Sequence, residues 1–191
     1  KGIQPIIGCL LKINTNKSEG NTNSVFNQSS FTVTVLVKDH DGWKNLSILI
    51  SKAYYNYKKI GKKSVNIEDL NNYSTGLICL FNDLVGINDN KSFSYEENRS
   101  IIISLSNSFK NSFYIELFRD NSLKEKNKEI ILSKLSYEMD VPLVCSNDIY
   151  FLNKDIYEAH ECLNCISQGT TIENSNRKKS NKEAYFKDSL Q

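Results

Sequence analysis

Several features that would place a protein in a functional class at once are missing from this chain. No run of about 18 apolar residues occurs, so no membrane-spanning helix is encoded. The formal net charge of +2 is too small to indicate a surface that coats nucleic acid. No GxGxxG, GxxxxGKS, GxxxxGKT or GxSxG pattern is present. A glycine-rich phosphate-binding loop and the usual serine-hydrolase elbow are therefore excluded.

Cysteine is present, but not in the pattern of a disulfide framework. The five cysteines are an odd number, and three of them lie in apolar, strand-like runs, where a thiol behaves as a small hydrophobe. This usage indicates a reduced, cytoplasmic protein. Cys162 and Cys165 form a single CxxC pair, whereas zinc sites usually need a second pair. We therefore interpret both cysteines as residues of the core, packed with Ala159, Leu163 and Ile166.

Histidine is scarce, since the chain has only His40 and His160. His40 stands in a polar turn and is predicted to be exposed. His160 falls inside a predicted helix, about 200° around the helix axis from Cys162, so the two side chains cannot face one ligand. We interpret His160 as a packed structural side chain, with a functional role as the alternative.

Lysine outnumbers arginine by 21 to 3, and asparagine occurs 24 times. Coding bias in an A+T-rich genome explains both excesses without selection for a basic surface. The two basic clusters, residues 58–63 and 177–179, are accordingly interpreted as solvated loops. Contact of either cluster with DNA phosphates is the alternative.

Apolar runs alternate with helix-capping signals along the chain. The runs at 31–37, 77–81, 113–118 and 142–146 predict strands. Polar caps predict that helices start at Asp41, Asn66, Ser94, Ser122 and Asp155, and Gly169 is expected to end the last helix. This order predicts an α/β fold with a parallel sheet or barrel.

Two stretches are predicted to lie outside this regular structure. Residues 14–30 are rich in asparagine and serine and indicate a surface loop or hairpin connection. Residues 173–183 indicate a solvated connector that leads away from the core. Because the strand-like run PIIGCLLKI follows Lys1 almost at once, we expect a segment of a longer chain.

The most informative stretch is VPLVCSNDIYFL, residues 141–152. Its continuous apolar run, from Pro142 to Cys145, predicts a buried central strand covered on both faces. Ser146, Asn147 and Asp148 follow directly. In parallel α/β folds this end of a strand is where ligands and catalytic groups collect.

Together with Ala159-His160, this stretch resembles the "PLVATNDVHYL…AHD" signature of the PHP domain (polymerase and histidinol phosphatase) of bacterial DNA polymerase III alpha subunits. Further similarities to the same family follow in order along almost the whole chain. They are KGI at 1–3 with GC at 8–9, VLVKDHDGWKNLSILIS at 35–51, GLI at 76–78, YIEL at 114–117, Ile166 with Gly169, Arg177, and YFK at 185–187.

The resemblance implies a partial PHP-type distorted (β/α)7 barrel over residues 1–172, without its first strands, and a connector over 173–191. It implies DNA replication as the process, within a DNA-directed DNA polymerase whose Mg²⁺-dependent palm lies downstream. The segment itself would be a non-catalytic scaffold without a cofactor. It would dock the proofreading exonuclease subunit and other replicative subunits, while DNA is bound mainly elsewhere.

Active members of the family hold several metal ions at strand ends, where such ions generate hydroxide for phosphoester cleavage. Compared with that pattern, Leu10 stands where glutamate is expected. Asp120 and Tyr150 stand where histidines are expected, and Asp148 is the only retained ligand position. The resemblance therefore predicts a decayed metal site without catalytic residues, in which Asp148 caps a turn.

Two alternatives stay open. The first is a working metal-dependent PHP phosphoesterase or 3′–5′ exonuclease, whose remaining ligands would lie upstream of Lys1. The second is an unrelated cytosolic α/β binding domain. The scarcity of histidine argues against the first, and the ordered similarities argue against the second.

Overall fold

The structure is a computed structural model that describes residues 2–15, 30–61, 63–84, 94–118 and 123–188. Six strands lie within these ranges: β1 Gly8–Asn14, β2 Ser30–Val37, β3 Val65–Asn66, β4 Leu77–Phe81, β5 Phe113–Phe118 and β6 Leu143–Ser146. The α-helices in the same ranges are α1 His40–Ile60, α2 Ile67–Asn72, α3 Tyr95–Phe109, α4 Leu123–Met139 and α5 Tyr157–Gln168. The four predicted strands are therefore confirmed, with shifts of one residue at two of them.

The strands form one mixed sheet in the order β3-β1-β2-β4-β5-β6. β1 pairs with β3, and β4 with β5, in parallel. β2 runs antiparallel to both of its neighbours, β1 and β4. The α/β class is confirmed, but the expectation of a purely parallel sheet is wrong. A hairpin connection between β1 and β2 agrees with their antiparallel pairing, although most of it, residues 16–29, lies outside the described residues.

The described residues form two compact units, and the first comprises Lys1–Glu116 and Ile131–Val144. Its core takes every second side chain of β2 and β4, because successive strand residues point to opposite faces. Phe31 and Phe81 meet edge to face there, with 5.7 Å between ring centroids. The same alternation buries Leu11 and leaves Leu10 67% exposed.

The long helix α1 is capped two residues earlier than its sequence suggests. Asp39, with an extended backbone, is the cap, and its carboxylate accepts a hydrogen bond of 2.9 Å from the amide of Gly42. The predicted cap, Asp41, is already inside the first turn, where its negative charge favours the helix. Ser94 caps α3 as predicted, through the amide of Glu97. The predicted cap of α4, Ser122, lies outside the described residues.

The strand that precedes Asp148 is less buried than predicted. β6 stands at the end of the strand order within the described residues, and Leu143 is 44% exposed. The expectation of a central strand covered on both faces is therefore wrong, while the strand itself is confirmed. A continuous apolar run is compatible with burial on both faces of a strand. It does not determine which other elements of the fold cover those faces.

The second unit comprises Leu117–Ile130 and Cys145–Gln191. Its helix α5 begins at Tyr157, after a 3-10 turn at Lys154–Ile156, and ends at Gly169 with a left-handed backbone. Gly169 is thus the predicted terminator, whereas Asp155 lies in the 3-10 turn and does not start the helix.

Residues 173–188 do not lead away from this unit. They return along α5, where the backbone of residues 184–186 bonds to that of Tyr150 and Phe151. Ala184 is only 3% exposed. We call residues 173–188 the return segment. Most of residues 173–183 are exposed, in agreement with the expected solvated composition. The expectation that they lead away is wrong, because Arg177 and the amide of Ser180 bind a buried glutamate of α5, as described below. The predicted domain boundary at residue 172 stays a prediction.

Candidate functional site around Asp148

Asp148 lies two residues beyond the end of β6, as predicted, and its side chain is exposed. Its loop is fixed from both sides by the return segment. The Nδ2 of Asn147 donates to the backbone oxygen of Tyr185 at 2.8 Å, and the amide of Tyr150 donates to the oxygen of Ala184 at 2.9 Å. Contacts with the return segment therefore hold the loop that carries Asp148.

A small open depression of about 130 Å³ adjoins Asp148. Its lining combines two carboxylates with amide and apolar groups: Phe118, Glu125, Asn147, Asp148, Tyr150, Asn181 and Ala184. Such a volume accommodates a few water molecules or one small ion. It is smaller than the pockets that enclose ordinary organic substrates.

The second carboxylate of the depression already has a cationic partner. Lys128 reaches Glu125 with 3.2 Å between Nζ and Oε1, and the two side chains are 7% and 19% exposed. A metal ion at Glu125 would have to displace or tolerate this ammonium group, and like charges at short distance repel strongly where water is scarce. Of the two carboxylates that line the depression, Asp148 is the one without this lysine partner.

The donor set described here does not fit a multinuclear metal centre. In the described ranges, no three His, Cys, Asp or Glu side chains are grouped so that they could hold a metal ion. Tyr150, at the expected histidine position, is 65% exposed and lines the depression with Asp148. Leu10 lies in β1 of the first unit. Asp120 lies outside the described residues.

His160 is packed against aromatic rings, as predicted. Its ring centroid lies 5.3 Å from that of Phe151 and 6.0 Å from that of Tyr150. His40, at the first residue of α1, is exposed as predicted. His160 therefore helps to position the loop that carries Asp148, since Tyr150 and Phe151 belong to that loop.

The two cysteines of the CxxC pair have different environments. Cys165 is 5% exposed and belongs to the core, whereas Cys162 is exposed. Leu163 and Ile166 are also exposed, at 64% and 76%. The prediction of a shared core environment is therefore right for Cys165 and wrong for Cys162, because α5 buries only a narrow stripe of its surface.

The sequence interpretation missed a buried charge cluster on α5. Glu161 is 1% exposed and pairs with Arg177 of the return segment. Its carboxylate also accepts hydrogen bonds from the amide of Ser180 at 2.9 Å and from Nδ2 of Asn164 at 3.4 Å. The available signal was that Glu161 stands four residues before Cys165 and therefore shares its helix face, because a charge on an apolar helix face needs a partner.

These hydrogen bonds determine the ionisation of Glu161. Burial alone would raise the pKa of the carboxyl group, since it disfavours the charged form. Hydrogen bonds from Arg177, Ser180 and Asn164 outweigh burial and lower the pKa to about 2. Glu161 is therefore ionised at neutral pH and holds the return segment.

The ordered sequence similarities point to one family, and comparison with known proteins agrees. The family model described as "PHP domain" matches residues 1–120. The chain belongs to the PHP domain family.

Several relatives that match 97–98% of the chain are named DNA polymerase III subunit alpha. The protein of Caulobacter vibrioides (strain NA1000 / CB15N) is 31% identical over 188 residues, which cover 97% of this chain and 16% of the relative. The protein of Rickettsia bellii (strain RML369-C) is 30% identical over 189 residues, 98% of this chain and 15% of the relative. The protein of Borreliella burgdorferi is 30% identical over 194 residues. The chain thus spans about a sixth of the length of these relatives.

In the part of the chain that the structure describes, no helix combines the length and the apolar character needed to cross a membrane.

Proposed function

We propose that this chain is the PHP segment of a DNA polymerase III alpha subunit and that it serves DNA replication. The observation that carries the proposal is similarity to such subunits across 97–98% of the chain. The whole protein would be a cytoplasmic DNA-directed DNA polymerase. Its Mg²⁺-dependent palm and most of its DNA-binding surface would lie outside this chain.

Within that protein, the segment acts as a non-catalytic scaffold with a PHP-type (β/α)7 barrel that is present only in part. The mixed sheet and the covering helices support this architecture. The metal site of the family is decayed in this proposal. Leu10 and Tyr150 in place of ligands, and the Lys128 ammonium at Glu125, support that part of it.

The proposed partners are the proofreading exonuclease subunit and other replicative subunits. The exposed apolar side chains of the second unit are compatible with docking, since α5 presents Leu163 and Ile166 to solvent. Docking places no chemical demand on Asp148, and this agrees with its exposed position.

The test uses the full-length product of the gene that encodes this chain. Purified protein should extend a primed template with deoxynucleoside triphosphates and Mg²⁺, and it should retain the exonuclease subunit of the same organism on size-exclusion chromatography. Elemental analysis should find fewer than two tightly bound zinc or manganese ions per chain.

The opposite outcome would support the metal-dependent phosphoesterase. In that outcome the protein holds two or more such ions and hydrolyses a phosphoester or a 3′ end in a metal-dependent reaction. The Asp148→Asn variant would lose this hydrolysis. Loss of primer extension without this gain would refute the polymerase assignment alone. Failure to retain the exonuclease subunit would refute the docking role alone.

A further inference from the structure

The C-terminal part of α1 combines tyrosines and lysines without any carboxylate. Residues 51–63 include three tyrosines and five lysines but neither aspartate nor glutamate. Tyr54, Tyr55 and Tyr57 are 54%, 60% and 49% exposed. Tyr54 and Tyr57 are three residues apart and present two exposed rings on one helix face, whereas Tyr55 lies about 200° around the helix from Tyr57 and points to another face.

Lysine side chains lie beside these rings. The chain turns at Gly61, and Lys63 returns over the helix, with Nζ 4.5 Å from the ring centroid of Tyr54 and 5.7 Å from that of Tyr57. Tyr54 and Tyr57 share a helix face because they are three residues apart. Coding bias explains the number of lysines in the chain, but it does not explain a cation placed between two rings.

The positive charge here is available to an external anion. Lys52, one turn earlier, is already neutralised by Asp69 at 2.8 Å. Among the described residues, no carboxylate lies within ion-pair distance of Lys58 or Lys63. We define the tyrosine–lysine surface as Tyr54, Tyr57, Lys58 and Lys63, since residues 54, 57 and 58 share a helix face and Lys63 lies over the two rings.

We propose that the tyrosine–lysine surface binds a single-stranded nucleic acid. Unpaired bases would stack on the tyrosine rings, and phosphates would pair with Lys58 and Lys63, which is how proteins hold single strands without sequence preference. A duplex hides its base faces, and an acidic peptide would engage the lysines but leave the two tyrosine rings unused. The inference goes beyond the proposed scaffold role and does not depend on it.

Cross-linking locates the contact even if other regions of the full-length protein also bind DNA. The probe is a 12-nucleotide oligodeoxythymidylate with 5-iododeoxyuridine at alternate positions. After irradiation and trypsin digestion, mass spectrometry should find the probe on AYYNYK, residues 53–58. The Tyr54→Ser/Tyr57→Ser variant should bind the same oligonucleotide without iodine about tenfold more weakly, since each stacked base contributes substantially to binding.

The lysines are tested through the salt dependence of binding by the 191-residue chain, measured by fluorescence anisotropy with the same oligonucleotide without iodine. In Lys58→Gln/Lys63→Gln, the slope of log K against log salt should decrease by about 1.4, that is about 0.7 for each lost phosphate contact. Tyr137→Ser, at a 90% exposed ring, and Lys178→Gln/Lys179→Gln are the matched controls and should leave binding unchanged. Circular dichroism checks that each variant is folded.

Three results would overturn the proposal. The first is cross-linking that occurs only outside residues 53–58. The second is an equal loss of binding in the control variants, which would show that total charge alone matters. The third is displacement of the oligonucleotide by polyglutamate at equal charge concentration, together with no effect of Tyr54→Ser/Tyr57→Ser, which would indicate an acidic protein partner.

Discussion

Glu161→Gln is the most informative single substitution for the second unit, because it removes a charge and keeps the shape of the side chain. The amide oxygen of glutamine can still accept from the amide of Ser180. Arg177, whose side chain is 8% exposed, would lose its counter-charge. A buried charge left without a partner destabilises a fold far more than the intact pair stabilises it.

The pKa of Glu161 gives the sign and size of the effect. The folded value of about 2 lies below the ordinary value of 4.5, so ionisation of Glu161 favours the folded state. Its contribution is fully present above about pH 4.5 and is lost as the pH falls towards 2. At 1.36 kcal/mol for each pKa unit, with a reduction for screening by nearby solvent, the contribution is on the order of 2 kcal/mol.

Hydrogen exchange measures this contribution locally. The amide of Ser180 donates to the Glu161 carboxylate, so its protection reports whether the return segment is held. At pH 7, Glu161→Gln should reduce that protection by a factor corresponding to about 2 kcal/mol. Urea unfolding at pH 7, 4 and 2.5 should show that parent and variant converge in stability as the pH falls.

Glu158→Gln is the matched control, since Glu158 is an exposed glutamate on the same helix. It should leave both measurements unchanged. In the double variant Glu161→Gln/Arg177→Met, part of the lost stability should return, because no buried charge is left unpaired. A Glu161→Gln protein that keeps the parent's hydrogen-exchange protection at Ser180, or the parent's pH dependence of stability, would falsify this account of the charge cluster.

Three further predictions concern other elements. Asp148→Asn should retain the parent's stability and metal content, and loss of a phosphoesterase activity in this variant would show that Asp148 is a working ligand. Leu143→Ala should cost less than about 1.5 kcal/mol in urea unfolding, since Leu143 is 44% exposed, whereas Ile115→Ala, at a fully buried position of β5, should cost about 2–5 kcal/mol. Equal losses would contradict the edge position of β6. Gly42→Ala should destabilise by more than about 2 kcal/mol, because its Cβ would lie 1.8 Å from the backbone oxygen of Gly76. The control, Gly61→Ala, has open space around the new Cβ and should cost only about 1 kcal/mol, for the left-handed backbone of this residue. Similar melting curves for the two variants would contradict the close contact between Gly42 and Gly76.

Strands and caps were predictable from the sequence because they depend on local physics. β-branched runs gave β2 and β4, and Ser94 with Glu97 gave the start of α3. Asp39 and Asp41 are both good caps, so their competition is decided by backbone geometry that the sequence does not contain. The direction of each strand was not predictable, since an apolar run has the same composition whether the adjacent strand is parallel or antiparallel to it.

The surroundings of Asp148 were only partly predictable. Its place after a strand followed from one continuous apolar run and the polar residues behind it. The depression beside it depends on contacts distant in sequence, for example between Asn147 and Tyr185. The polar composition of residues 173–183 is typical of a solvated connector. Their packing depends on partners distant in sequence, such as Glu161, which lies sixteen residues before Arg177.

The return segment also links the buried cluster to the candidate site. Asn181 and Ala184 line the depression, and the oxygen of Ala184 holds the amide of Tyr150. Glu161 therefore acts on the loop of Asp148 without touching it, by holding Ser180 and Arg177 on α5. A substitution at Glu161 should disturb the loop through its support, whereas one at Asp148 changes a charge and leaves the support intact. Comparison of the two variants distinguishes a structural role from a chemical one. If only Glu161→Gln impairs the activity of the full-length protein, the second unit acts as a scaffold. If a folded Asp148→Asn protein is impaired equally, the carboxylate of Asp148 takes part in chemistry.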